Sequence, residues 1–336
     1  MYMSRTISHI ILLLTIASSF VSCNIGDNNG KRKSAAVSSP YELLVVAPKD
    51  WLSTADGEPL LDIINAEIPA LNQPEQNFRT TTINPVSFKG TFIGYSNVIK
   101  VDINRKYTKA EMQIAHDVYC QPQIIVQLVA PTQESFAQLC TESKQRILRI
   151  FNDAELERAT QRLKKNHSGI VAKAAKDMFQ CTVYAPQEIN AILKGKDFFW
   201  ASSEGQHENY LNFCMYSYPF TSNQTFTIDY FANKRDSVMK INITGEEHDG
   251  LTPYMMTYKP TLVTTDLNLN NNYVQEVRGL WAMEHDAMGG PFISYVQVDT
   301  TRNRVIVAEG FFYRPNKPKR ELIRSLEAAL RTLKVK

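Results

Sequence analysis

The tripeptide Glu-His-Asp occurs twice, as Glu247-His248-Asp249 and as Glu284-His285-Asp286. Carboxylates beside an imidazole can hold a metal ion or move protons as general acid and base. Adjacent residues of a strand point to opposite faces, however, so neither tripeptide alone can converge three groups on one point. Gly250 follows the first copy, and Met288-Gly289-Gly290-Pro291 follows the second. Asp and Gly favour turns on backbone grounds alone, so solvated turns explain both copies without any chemistry. A site requires the two loops to meet in space. If they do, they are candidates for a hydrolase acting on glycan or peptidoglycan.

The remaining candidates are weaker. Trp200, Tyr210, Tyr216 and Trp281, with Phe213, Tyr218 and Phe220, could stack on a sugar, but the same residues also suit core and cross-strand pairs. Gly289-Gly290-Pro291 joins two expected strands, where its glycines admit positive φ. It lacks the strand-to-helix setting that cradles phosphate. His116 and His167 fall at expected helix ends, as surface groups compatible with the dipole. No GxSxG, HExxH, P-loop, Rossmann fingerprint or Cys-His protease signature occurs. A glycosidase carboxylate pair cannot be read from spacing. The sequence therefore calls for no cofactor and no metal, and leans away from an enzyme.

The address is better specified. Arg5 is the only charge before Cys23, and an apolar run from Ile10 leads to Phe20-Val21-Ser22-Cys23. That run has the length of a signal-peptide core and is too short to span a bilayer. Ser22-Cys23 resembles the lipobox of bacterial lipoproteins, with Phe20 in place of the usual Leu. The resemblance implies cleavage after Ser22 and acylation of Cys23 on sulfur and nitrogen. Several acyl chains hold far more firmly than one.

Cys120, Cys140, Cys181 and Cys214 remain, with none at CxxC spacing and no His at finger spacing. Cys120–Cys140 is the pair to test for a disulfide, given export. Lys plus Arg number 37 against 34 Asp plus Glu, so there is no electrostatic case for nucleic acid or for anionic substrates. A hydrophobic content of 43%, with 16 Phe and 15 Tyr, suffices for a true core.

Expected elements follow from periodicity and punctuation. Residues 24–39 read as a tether reaching roughly 20–25 Å. Strands are expected at 41–47, 78–88, 97–103 and 124–129, with helices at 59–68, 108–119 and from Thr132 to Lys165. Thr108-Lys109-Ala110-Glu111 supplies a capping box for the second helix, and Asp153 a cap within the third. Asn166-His167-Ser168-Gly169 closes the first half. The second half places strands at 179–185, 198–201, 210–218, 255–265 and 273–283, and a hairpin at 292–299 and 304–313. Its helices fall at 224–240 and 318–333. Three strands end at a proline, Pro48, Pro131 and Pro186, each expected to precede a helix or loop.

The fold class is thus α+β, with antiparallel sheets, helices on one face, and two weakly similar halves. The divisions are 1–22 signal peptide, 23–39 lipidated Cys and tether, 40–166 first half, and 167–336 second half. Asp117-Val118-Tyr119-Cys120-Gln121-Pro122-Gln123, Asp197-Phe198-Phe199-Trp200, and Gly279-Leu280-Trp281 with Ala287-Met288-Gly289-Gly290-Pro291-Phe292 resemble a family of lipoproteins of Gram-negative gut anaerobes. That family is classed as a domain of unknown function. The resemblance implies an outer-membrane lipid anchor facing an aqueous envelope compartment, and it brings no activity. What it leaves is a protein that binds an envelope partner or glycan, with the hydrolase as the alternative.

Overall fold

A strand whose residues are apolar without alternation needs cover on both faces. Glu42–Val46 (β1) is such a strand, and Leu43, Leu44 and Val45 are all buried. In the computed structural model, which describes residues 33–203 and 210–335, β1 sits inside a five-stranded sheet. Its companions are Arg79–Ile83 (β2), Asn97–Ile103 (β3), Glu111–His116 (β4) and Ile124–Ala130 (β5), in the order β2-β1-β3-β5-β4. Helices Glu58–Ile64 (α1) and Gln133–Lys165 (α2) cover one face. Phe88, Phe92 and Tyr95 close the other.

Thr132 caps α2 by accepting from the Ser135 amide, and the Ser135 hydroxyl completes the box. The helix then continues through Asp153 without a break, 33 residues or about 50 Å. Phe136, Ile147 and Phe151 pack in the first core, whereas Leu156 and Leu163 pack in the second. One helix therefore joins two cores.

The second core lies against a seven-stranded sheet. It comprises Ala191–Gly195 (β6), Phe198–Ser202 (β7), Tyr210–Pro219 (β8), Tyr254–Leu269 (β9), Asn272–Glu284 (β10), Gly289–Asp299 (β11) and Arg304–Tyr313 (β12). The order is β9-β10-β11-β12-β8-β7-β6, antiparallel throughout. Gly169–Phe179 (α3) and Arg320–Arg331 (α5) contribute to the core on one face, and Ile228–Asn242 (α4) to that on the other. Among the described residues no helix is long and apolar enough to cross a membrane.

The molecule is α+β, and several local expectations need correction. Residues 108–119 hold no helix. Glu111–His116 is an edge strand antiparallel to β5, with Met112 and Ile114 on one face, and Asp117 ends it at φ 51°. Alternation outweighs the capping-box spacing because β5 offers an open ladder. Antiparallel pairing describes the large sheet but not most of the small one, where β2-β1, β1-β3 and β3-β5 are parallel.

The likeness of the halves goes no further than their order of punctuation. β1 is inside its sheet, whereas Cys181–Thr182 pairs outside the large sheet with Lys334–Val335. Helix α3 is an element that sequence reading misses. The expected tether ends early, since Ser34–Ala35 pairs with Cys120–Gln121 and the Val37 amide donates to the Gly94 carbonyl at 2.9 Å. Cys120 and Cys140 are both free, buried thiols and form no disulfide. Cys23 and the leader lie outside the described residues.

Candidate functional site

The two Glu-His-Asp tripeptides come to the same end of the large sheet. Tyr254, at the start of β9, pairs with Glu284 and lies edge-on to His285 at 6.2 Å, while Thr244, just before the first tripeptide, bridges to it. Both copies are turns. His248 exchanges backbone hydrogen bonds with Leu251, Asp249 has φ 53° and His285 has φ 66°. Glu247, His248, Asp249, Glu284, His285 and Asp286 are all exposed. Among the described residues no group of three or more His, Cys, Asp or Glu could hold a metal. The loops are neighbours, and their six residues line neither of the clefts described below.

The aromatic candidates are spent on packing. Tyr216 and Trp281 are buried, Trp281 edge-on to Phe311 at 5.8 Å, so neither offers a ring face to a ligand. Trp200 is half-buried and donates through Nε1 to Asn212 at 2.8 Å. Tyr210 is half-buried at the start of β8. His116 ends a strand rather than a helix, and the His167 ring lies 4.3 Å from that of Tyr184, tilted by 39°. Gly290 is glycine because a Cβ there would meet the Phe312 carbonyl at 2.2 Å, not because of positive φ. Burial pushes the Cys140 and Cys181 thiols up to about 12 and raises Cys120 and Cys214 as well, which leaves all four as weak nucleophiles near neutrality.

A concave feature lies elsewhere, where the halves meet. Glu75 of the first half accepts from the Arg320 amide at 2.9 Å and from the Lys319 amide, satisfying the N-terminus of α5 with a carboxylate. Arg320 Nε donates to the Gln76 carbonyl at 2.7 Å. One turn on, Arg324 Nη2 donates to Asn77 Oδ1, and Nη1 donates to Glu327 at 2.7 Å. Glu327 also accepts from Arg278 Nη2 of β10 at 2.9 Å, and Arg278 Nε donates to Glu276 at 2.6 Å. Burial alone would raise the Glu327 carboxyl. Arg278 and Arg324 outweigh it and hold the group at about 2. The first half is thus docked on α5 by charged hydrogen bonds inside the protein.

Beside this dock opens a cleft of about 480 Å³ whose walls come from the segment just before β1, the start of β2, α2, α5 and the segment after Ala185. Its charged lining is Arg79, Arg162, Arg324, Glu188 and Glu321. Arg79 and Glu321 pair across it at 3.4 Å, both largely exposed. Tyr41 forms part of the wall, with its ring 6.2 Å from Phe78 and the Arg324 guanidinium 5.5 Å above it. Tyr41 has φ 58°, a left-handed backbone that a bulky side chain adopts only under constraint. Its hydroxyl and Arg324 Nε are buried without a hydrogen-bond partner in the protein. Burial pushes the Tyr41 phenol well above its ordinary value, with Arg324 pulling the other way. Two buried donors at one cleft, both unanswered, are a departure from the rule that buried polar groups are paired. A second cleft, of about 820 Å³, lies between α2, the C-terminal end of α5 and the β9–β10 turn. Its arginine, Arg331, reaches Asp153 through Nη2 at 3.4 Å and likewise leaves Nε buried without a partner, but no buried, unpartnered tyrosine hydroxyl is among the described residues lining that cleft.

Two regions of the chain match families of unknown function. Residues 36–164 match the family described as Domain of unknown function (DUF8532), and residues 169–332 match Domain of unknown function (DUF4837). The cleft therefore takes one wall from each matched region. The resemblance drawn from Asp117–Gln123, Asp197–Trp200 and Gly279–Phe292 agrees, since each segment falls inside a matched region. No curated protein matches the chain. A crystal structure at 1.50 Å from Bacteroides thetaiotaomicron VPI-5482 is similar at 12% identity over 46% of this chain, with a TM-score of 0.20. The match spans 45% of that protein's length.

Tyr41, Arg79, Arg162 and Arg324 were not legible as site residues. The one available signal is in α5, where Arg324 and Glu327 interrupt the apolar stripe of Ile323, Leu326 and Leu330 at i, i+3 spacing.

Proposed function

We propose that this protein is an envelope lipoprotein, anchored through lipid on Cys23 in the outer membrane, that holds a ligand or partner group without catalysis. The observation that carries the reading is the interdomain cleft with its two unanswered buried donors. It is concave, built from both matched regions, and held in shape by the Glu75 and Asn77 contacts to α5. Its size suits a small ligand or the end group of a larger one. The hydrolase reading needed the Glu-His-Asp loops to share a pocket, and their exposure on two turns removes that support.

Two measurements test the proposal. Mass spectrometry of the mature N-terminus is expected to find acylated Cys23, and a Cys23→Ala protein is expected to leave the detergent phase. A soluble wild-type species starting elsewhere would sink the anchor. Cosedimentation of the mature protein with peptidoglycan and envelope glycan, beside an assay for released reducing ends and amines, separates binding from turnover. Binding without release supports the reading. Release that disappears in the Glu284→Gln, His285→Ala double variant would restore the hydrolase.

A further inference from the structure

The cleft does more than provide space, because the chemistry of its unanswered groups is one-sided. Arg324 Nε can only donate, and its two other nitrogens are committed to Glu327 and Asn77. The Tyr41 hydroxyl, buried on the ring that lies 5.5 Å below the Arg324 guanidinium, has no hydrogen-bond partner in the protein. A ligand that completes both must present acceptors and move the side chains that close these two atoms to solvent. Arg162 supplies charge: it is exposed on the last turn of α2 at the cleft, and its guanidinium makes no hydrogen bond or ion pair among the described residues. Against it stand Glu188 and Glu321 on the lining, the latter already paired with Arg79. A polyanion would meet these two carboxylates, whereas a single planar anion avoids them and matches the fork geometry of arginine.

We propose that the cleft recognises a carboxylate, held between Arg162 and Arg324 with the Tyr41 hydroxyl as a third donor. The inference rests on the binding reading above and narrows it to one chemical class. The left-handed backbone at Tyr41 fits the same account. It fixes the ring under the guanidinium, where the unbound protein leaves the hydroxyl without a partner and the bound one does not. Retaining an unsatisfied hydroxyl costs the free protein stability that phenylalanine would not.

Carboxylates of this kind end two sorts of envelope molecule, a sugar acid or a peptide C-terminus. The test uses the mature full chain in detergent, at constant ionic strength, with four probes read by calorimetry. Galacturonate and N-acetylalanine carry the carboxylate; galactose and N-acetylalaninamide are their neutral counterparts. At least one carboxylate is expected to bind at a single saturable site, and its neutral counterpart at least tenfold more weakly. Which of the two binds assigns the source. Arg162→Ala is expected to weaken that binding at least tenfold with no change in thermal midpoint. Tyr41→Phe is expected to weaken it several-fold while the thermal midpoint of the free protein holds or rises.

Equal binding of charged and neutral probes, no binding of either carboxylate, or indifference to Arg162→Ala would each overturn the inference. Intact glycan cosedimentation beside any of these would leave the binding reading standing. If cosedimentation fails as well, both fall.

Discussion

Arg235 and Arg324 are both buried, on opposite faces of the same sheet, and they differ in one respect. Arg235 is complete. Its Nε and Nη2 meet Glu309 at 2.9 and 2.7 Å, Nη1 meets Thr257 at 3.0 Å, and the guanidinium stacks 4.1 Å from the Phe292 ring. Ser294 donates to the second Glu309 oxygen at 2.7 Å, so the carboxylate is answered too. Arg324 leaves Nε unanswered, beside an unanswered tyrosine and an opening to solvent. A sealed and saturated ion pair pins a helix to a sheet. The pair one donor short, at a cleft, is where a ligand can finish the network. Buried charge by itself does not separate structure from function; what marks Arg324 is that its unfilled donor, the unpartnered Tyr41 hydroxyl and the exposed Arg162 share one cleft.

The comparison breaks first at Arg235. Arg235→Met leaves Glu309 buried and unpaired, and about 3–5 kcal/mol of unfolding free energy is expected to go. Adding Glu309→Met to the same chain should return most of it. Urea denaturation of the two variants checks this, and a single-variant loss below about 1 kcal/mol would show that Glu309 finds other partners.

Acid sharpens the other cluster. The Glu327 carboxyl has an ordinary value of 4.5 and is held at about 2 in the folded protein. Because the folded value is the lower, the stabilisation is complete above about 4.5 and is lost as pH falls from there towards 2. It amounts to about 3 kcal/mol at neutrality. Urea midpoints at pH 6, 4 and 3 should fall, and Glu327→Gln should flatten that part of the profile. An unchanged slope in the variant would assign the loss to other carboxylates.

Smaller effects follow at the cleft and the turns. Without ligand, Tyr41→Phe is expected to be neutral or to gain up to about 1 kcal/mol, since it deletes an unanswered buried hydroxyl. A loss above about 1 kcal/mol in chemical denaturation would mean that the hydroxyl has a partner in the free protein. Glu284→Gln with His285→Ala should stay within about 0.5 kcal/mol of wild type, as expected of exposed turn residues. A larger drop would mean that the two loops support each other.

Most of the second half was legible because the strands of its antiparallel sheet other than β6 declare themselves locally. The hairpin of β11 and β12 follows from apolar runs either side of residues 300–303, and the turn is observed there. The first half was harder. Its sheet is largely parallel, so neighbours such as β1 and β3 are joined through long connections whose pairing leaves no local mark. At 108–119 a real capping-box spacing competed with an open sheet edge, and the edge prevailed. The site was illegible for a related reason. Tyr41, Arg162 and Arg324 come from three distant segments, and what distinguishes them is a missing partner, which only the folded arrangement can reveal.

The measurement that bears most directly on the contrast is the arginine Nε–H spectrum of the ¹⁵N-labelled protein during titration with galacturonate and N-acetylalanine. Arg324→Lys and Arg235→Lys assign the two resonances. Completion of the cleft by a carboxylate predicts a saturable shift at Arg324 with Arg235 unmoved. An Arg324 signal that stays in place at saturation, or one that moves together with Arg235, would contradict it.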